Sequence, residues 1–109
     1  MVDFSVPRGA EAAHRRPAVL VSNDGANLTA ARLGRGVVTV VPVTSNLVRV
    51  YPFQVELPAA VCGLQRDSKA QAEQVRAVAV ERLDARIGHV PPRLMRRLDD
   101  ALRLHLDVQ

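Results

Sequence analysis

Apolar and polar positions divide this chain into several short extended runs, followed by one amphipathic helix. Residues 2–5 (VDFS) open it in extended style, with a polar residue between apolar ones. Residues 7–15 (PRGAEAAHR) carry no periodicity, and Pro7 and Gly9 mark them as loop. Residues 17–22 (PAVLVS) form a β-branched apolar run, which predicts a buried strand with proline at its entry, where no ladder donor is needed. Residues 23–36 are polar and glycine-rich and read as a long loop. Residues 37–43 (VVTVVPV) give the strongest strand signal, with Pro42 marking a bulge or edge near its end. Residues 51–57 (YPFQVEL) alternate as a third strand.

The segment 68–83 (SKAQAEQVRAVAVERL) is in conflict with itself. Alanine and glutamate favour a helix, whereas Val75, Val78 and Val80 favour a strand. Residues 87–90 look like a short final strand. Residues 91–106 (PPRLMRRLDDALRLHL) open with proline at a helix start. Leu94, Leu98, Ala101 and Leu102 then recur at helical spacing, with Arg93, Arg96, Arg97 and Asp100 on the other side. This predicts a helix packed on a sheet, its arginines a solvated face. No repeat, linker or low-complexity segment divides the chain, so residues 1–109 read as one domain.

Composition narrows the class. No apolar run approaches the roughly 20 residues that span a bilayer, and no signal-peptide pattern opens the chain. The single cysteine, Cys62, excludes an internal disulfide and a thiolate zinc site, and it suits a reducing cytoplasm as a small packed hydrophobe. The net charge of +4 mildly favours an anionic partner. Residues 1–49 carry six arginines against three acids, so the excess lies in the first half. Phe4, Tyr51 and Phe53 are the only aromatics, too few for a surface that binds single strands by serial stacking.

Two segments could carry chemistry: Arg15-Arg16-Pro17 and Pro42-Val43-Thr44-Ser45. Each flanks a predicted strand, and strand ends position side chains better than loops do. On neighbouring strands, an arginine fork and a hydroxyl would suit a phosphate. With spacing alone, the same residues also fit a wet loop and a simple turn. The three histidines, His14, His89 and His105, are scattered; His105, beside leucines on the terminal helix, reads as a packing or surface residue, and only His14, in the loop, could serve as a histidine base. No phosphate-binding glycine loop, nucleophile elbow or metal-spaced histidine pair is present, so no metal and no cofactor are expected.

The order of PRGAEAAHRRPAVLVSNDGAN, VVTVVPVTSN, YPFQVEL, GLQRDSKAQAEQVRAV and ERLDARIG resembles the MazF/PemK/Kid family of bacterial toxins over almost the whole chain. The resemblance implies a mainly β (α+β) fold, a small SH3-like or CcdB-like barrel with a C-terminal amphipathic helix. It implies a homodimeric, metal-independent endoribonuclease of the cytoplasm that cuts single-stranded RNA and is restrained by a cognate antitoxin with an acidic, partly disordered segment. Arg16 would be the principal catalytic cation, Thr44 its partner, and Glu11, at the family's GSE position, a general base. His14, Arg15, Ser45, Glu73, Gln74 and Arg76 would contact RNA. The resemblance also resolves the conflicted segment, giving a strand over 69–79 and a helical turn over 80–83. The family's RGEIW-like opening does not precede Val2-Asp3-Phe4, which implies a truncated start or a short first strand. Two other readings use a similar fold without catalysis: a CcdB-type toxin that binds gyrase, and a basic RNA-binding barrel.

Overall fold

The computed structural model describes residues 2–7, 16–23, 29 and 32–108, with backbone alone for 2–7 and 84–85. Its strands are β1 (Val2–Pro7), β2 (Ala18–Leu20), β3 (Val37–Thr44), β4 (Gln54–Leu57), β5 (Ser68–Gln71), β6 (Arg76–Ala79) and β7 (Leu83–Val90). A short helix α1 (Ala59–Cys62) follows β4, and helix α2 (Pro92–Leu106) follows β7. All pairings are antiparallel, in the order β4-β5-β3-β2-β1-β7, with β6 added on β3. The two ends of that path do not pair with each other, so "barrel" is a loose description of the sheet. The first strand spans six residues and pairs on both sides.

Strand β3 organises the rest. One edge pairs with β2 through Val40, Val41 and Pro42; the other pairs first with β6 over Val37 to Val40, then with β5 at Val43 and Thr44. Odd residues of β3 turn their N–H groups toward β2, as the bond from Val43 N to Pro17 O at 3.0 Å shows. Even residues therefore face the second edge, where Pro42 falls in the gap between β6 and β5 and no donor is required. Both faces of β3 are covered. Val41 and Val43 belong to the main core with Val19, Val55, Leu57 and the helix residues Leu94, Leu98 and Ala101. Val38 and Val40 belong to a second cluster with Ala18 and Val78. A strand buried on both faces reads as a continuous apolar run, which accounts for VVTVVPV.

The conflicted segment is two strands with different partners. β5 lies between β3 and β4, a 3₁₀ turn over Ala72–Gln74 breaks the ladder, and β6 returns to the other half of β3. A second 3₁₀ turn spans Val80–Arg82. The final strand is longer than residues 87–90 and is held along its length by β1. Thr29, Arg32 and Leu33 are helical inside the segment read as loop.

α1 gave no sequence signal, because four residues are too few to show a period. It ends at Gly63, whose φ of 78° is left-handed and whose N–H reaches Ala59 O at 2.8 Å. Cys62 on α1 is buried, and burial pushes its thiol above the ordinary value despite the opposing charge of Arg93. At neutral pH it is a protonated, shielded thiol. Alkylation by iodoacetamide is expected to be slow in the folded protein and fast in denaturant; equal rates would show that α1 opens readily.

Candidate active site

The antiparallel register of β2 and β3 pairs Ala18 with Pro42, Val19 with Val41 and Leu20 with Val40. Pro17 continues it by accepting the Val43 N–H. One residue further, Arg16 stands opposite Thr44, at a non-hydrogen-bonded position where facing Cβ atoms are about 4.5–5.5 Å apart. Arg16 is exposed and Thr44 half-buried. A guanidinium and a hydroxyl distant in sequence thus share one row at the end of two rigid strands. Proline at 17 fixes the backbone between Arg16 and the ladder.

Thr44 is also locally fixed. Its Oγ1 accepts the N–H of Asn46 at 3.3 Å, and Asn46 Oδ1 accepts that of Val48 at 3.1 Å. As an acceptor in this turn, the hydroxyl keeps its own proton for an outside partner. The loop of residues 45–53 is anchored at two more points. Lys69 Nζ donates to Arg49 O, and Gln54 Oε1 accepts the Tyr51 N–H at 3.1 Å. Tyr51 stacks on Phe53 with ring centres 5.3 Å apart. A cleft of about 500 Å³ opens on the other face of β3, lined by Pro17, Val43, Ser45, Gln65, Arg66 and Ile87 among others. Its floor is apolar, and Ser45, Gln65 and Arg66 form an exposed polar rim.

The other sequence candidates fall in three places. Ser45 lines the cleft on the opposite side of β3 from Thr44. Arg76 is exposed and pairs with Val40, four residues along β3 from Thr44 and on the same face, a separation of about 13 Å at the strand's rise per residue. Gln74 is exposed in the 3₁₀ turn. Glu73 is half-buried, and its Oε2 accepts from Gln54 Nε2 at 2.7 Å. Glu11, His14 and Arg15 lie outside the described residues.

Sequence reasoning missed Gln54, Lys69, Gln65 and Arg66. Gln54 is a buried polar residue inside an apolar alternation, and that irregularity was its only signal. It joins the 45–53 loop to the 3₁₀ turn through two side-chain hydrogen bonds. Replacing Gln54 with alanine is expected to cost about 1–3 kcal/mol, because it strands polar groups in partly buried surroundings. Glu73→Gln, which retains an acceptor for Gln54, should cost less than Glu73→Ala. Urea unfolding measures all three.

The class is now defined: a small antiparallel β protein with a C-terminal helix and with Arg16 and Thr44 facing each other at the ends of two adjoining strands. The chain belongs to the family of PemK-like, MazF-like toxins of type II toxin–antitoxin systems, whose model matches residues 1–106. It is 62% identical over 107 residues to endoribonuclease MazF9 of Mycobacterium tuberculosis, covering 98% of this chain and 91% of that protein. Endoribonuclease EndoA of Bacillus subtilis is 30% identical over 105 residues, covering 95% and 86%. Among solved structures, Mycobacterium tuberculosis toxin MazF-mt6 superposes with a TM-score of 0.80 at 21% identity, covering 98% of both chains. A mycobacterial endoribonuclease in complex with its cognate antitoxin superposes with a TM-score of 0.77 at 21% identity, covering 99% and 93%. These two structural likenesses support the fold. No helix among the described residues is long and apolar enough to cross a membrane.

Proposed function

We infer that this protein is the toxin of a toxin–antitoxin pair and acts as a metal-independent endoribonuclease on single-stranded RNA. The observation that carries the reading is Arg16 facing Thr44 across β2 and β3, in a chain 62% identical to a protein named as an endoribonuclease. The nucleophile is the RNA's own 2′-hydroxyl. Its oxygen attacks the adjacent phosphorus, the bond from phosphorus to the 5′-oxygen breaks, and a 2′,3′-cyclic phosphate and a 5′-hydroxyl remain. The Arg16 guanidinium binds the non-bridging oxygens as negative charge builds on them. Thr44 donates its free hydroxyl proton to the same phosphate. Glu11 or His14 takes the 2′-proton, and water protonates the leaving oxygen. Ser45, Arg15, Gln74 and Arg76 hold the flanking RNA.

Such a basic site also suits an acidic, partly disordered antitoxin segment lying where phosphates would lie. The working form is a homodimer in the cytoplasm. The test is cleavage by purified protein in chelator, offering an RNA and the DNA of the same sequence. RNA alone should be cut, with cyclic phosphate at the new 3′ ends. Cleavage of both, of neither, or with 3′-hydroxyl ends overturns the mechanism.

A further inference from the structure

The row that holds Arg16 and Thr44 continues across the sheet. Thr44 faces Lys69 on β5, and Lys69 faces Glu56 on β4. Facing residues of an antiparallel ladder point to the same side, so Lys69 shares the face of Thr44. Lys69 is only 7% exposed, although it is the sole lysine of the chain and lysine is rarely buried unpaired. Its ammonium donates to Arg49 O. Among the described residues no carboxylate forms an ion pair with it, and Glu56, its other cross-strand neighbour, is exposed.

Burying most of a lysine side chain is a cost to the folded state unless its charge is compensated. An apolar residue of similar length would fill the same space at lower cost. An anion arriving at the Arg16–Thr44 pair would supply from the same face a counter-charge that none of the described residues provides. Charges withdrawn from water are also screened less than surface arginines, so the field of Lys69 reaches the site with less loss.

We propose that Lys69 is a second cation of the phosphate site, a fixed buried charge behind Thr44 that strengthens the hold of Arg16 on the scissile phosphate. This rests on the nuclease reading given above. Lys69 does not touch the phosphate; it acts through its field and by anchoring the loop at Arg49. It is a positioning residue.

Two substitutions separate its charge from its hydrogen bond. Lys69→Gln keeps an N–H donor for Arg49 O and removes the charge, whereas Lys69→Arg keeps the charge. In single-turnover cleavage of a short RNA, Lys69→Gln should be slower by about tenfold or more, with KM changed less than kcat, and Lys69→Arg should recover part of the loss. In thermal unfolding, inorganic phosphate should raise the Tm of the wild type. Lys69→Gln should start with a Tm no lower than wild type and gain less from phosphate.

Lys69→Gln that cleaves within twofold of wild type overturns the proposal. So does a variant that loses Tm yet responds to phosphate as wild type does, since that describes a purely structural lysine. Arg16→Ala run in parallel separates the two readings. If it is inactive while Lys69→Gln is unaffected, only the role of Lys69 fails; if it cuts normally, the nuclease reading fails and the Lys69 proposal with it.

Discussion

Arg16→Ala is expected to cut single-stranded RNA about 10²–10³-fold more slowly than the wild type, the usual loss when one preorganised donor to a developing oxyanion is removed. Folding should be intact, because Arg16 is exposed and precedes the β2 ladder. Arg16→Lys should recover little: an ammonium is a point charge and does not reproduce the two-pronged grip of guanidinium on phosphate. Thr44→Val should lose less than Arg16→Ala, since it removes one neutral donor, although it also frees the Asn46 N–H and loosens the turn that follows. Initial rates on a labelled oligoribonucleotide in chelator, alongside circular dichroism of each variant, make the comparison. Wild-type rates for both Arg16→Ala and Thr44→Val would remove the phosphate clamp from the mechanism.

Leu98→Ala should destabilise the fold by about 2–5 kcal/mol, the range for truncating a fully buried leucine. Leu98 is 0% exposed and packs in the cluster that joins α2 to Val55 and Leu57 of β4 and to Val41 and Val43 of β3. Small domains hold only about 5–15 kcal/mol in total, so such a loss moves the urea midpoint strongly and threatens the folded state at 37 °C. The contrast is Arg103→Ala. Arg103 bonds Asp100 at 3.0 Å, but both side chains are well exposed and one turn apart, so its removal should change stability by less than about 1 kcal/mol. Equal effects from the two variants would mean that α2 is not held to the sheet by its apolar stripe.

The helix was legible because its sequence states its own start and stripe. Pro92 occupies the first turn, Leu94, Leu98 and Ala101 repeat on one side, and Asp107 closes the helix in the left-handed region with φ of 55°. The two central strands were legible for a similar reason: their β-branched runs are long enough to outweigh local ambiguity. Residues 68–83 were not. Their alanines fit either state, and the choice lies in β3, which offers one half of its edge to β5 and the other to β6. Nor does a four-residue helix such as α1 leave a period to read.

The candidate site divides along the same line. That an arginine precedes one strand, and a threonine and serine end another, is written in the chain. So are the identities of Lys69 and Gln54. What the tertiary structure decided is adjacency and burial. The register of β2 on β3 sets position 16 against 44, that of β3 on β5 sets 44 against 69, and the fold buries all but 7% of Lys69, with its ammonium bonded to Arg49 O. Local sequence governs backbone preference over a few residues. Register depends on packing both faces of β3 at once, a condition shared by residues scattered from 18 to 101 that no single segment contains.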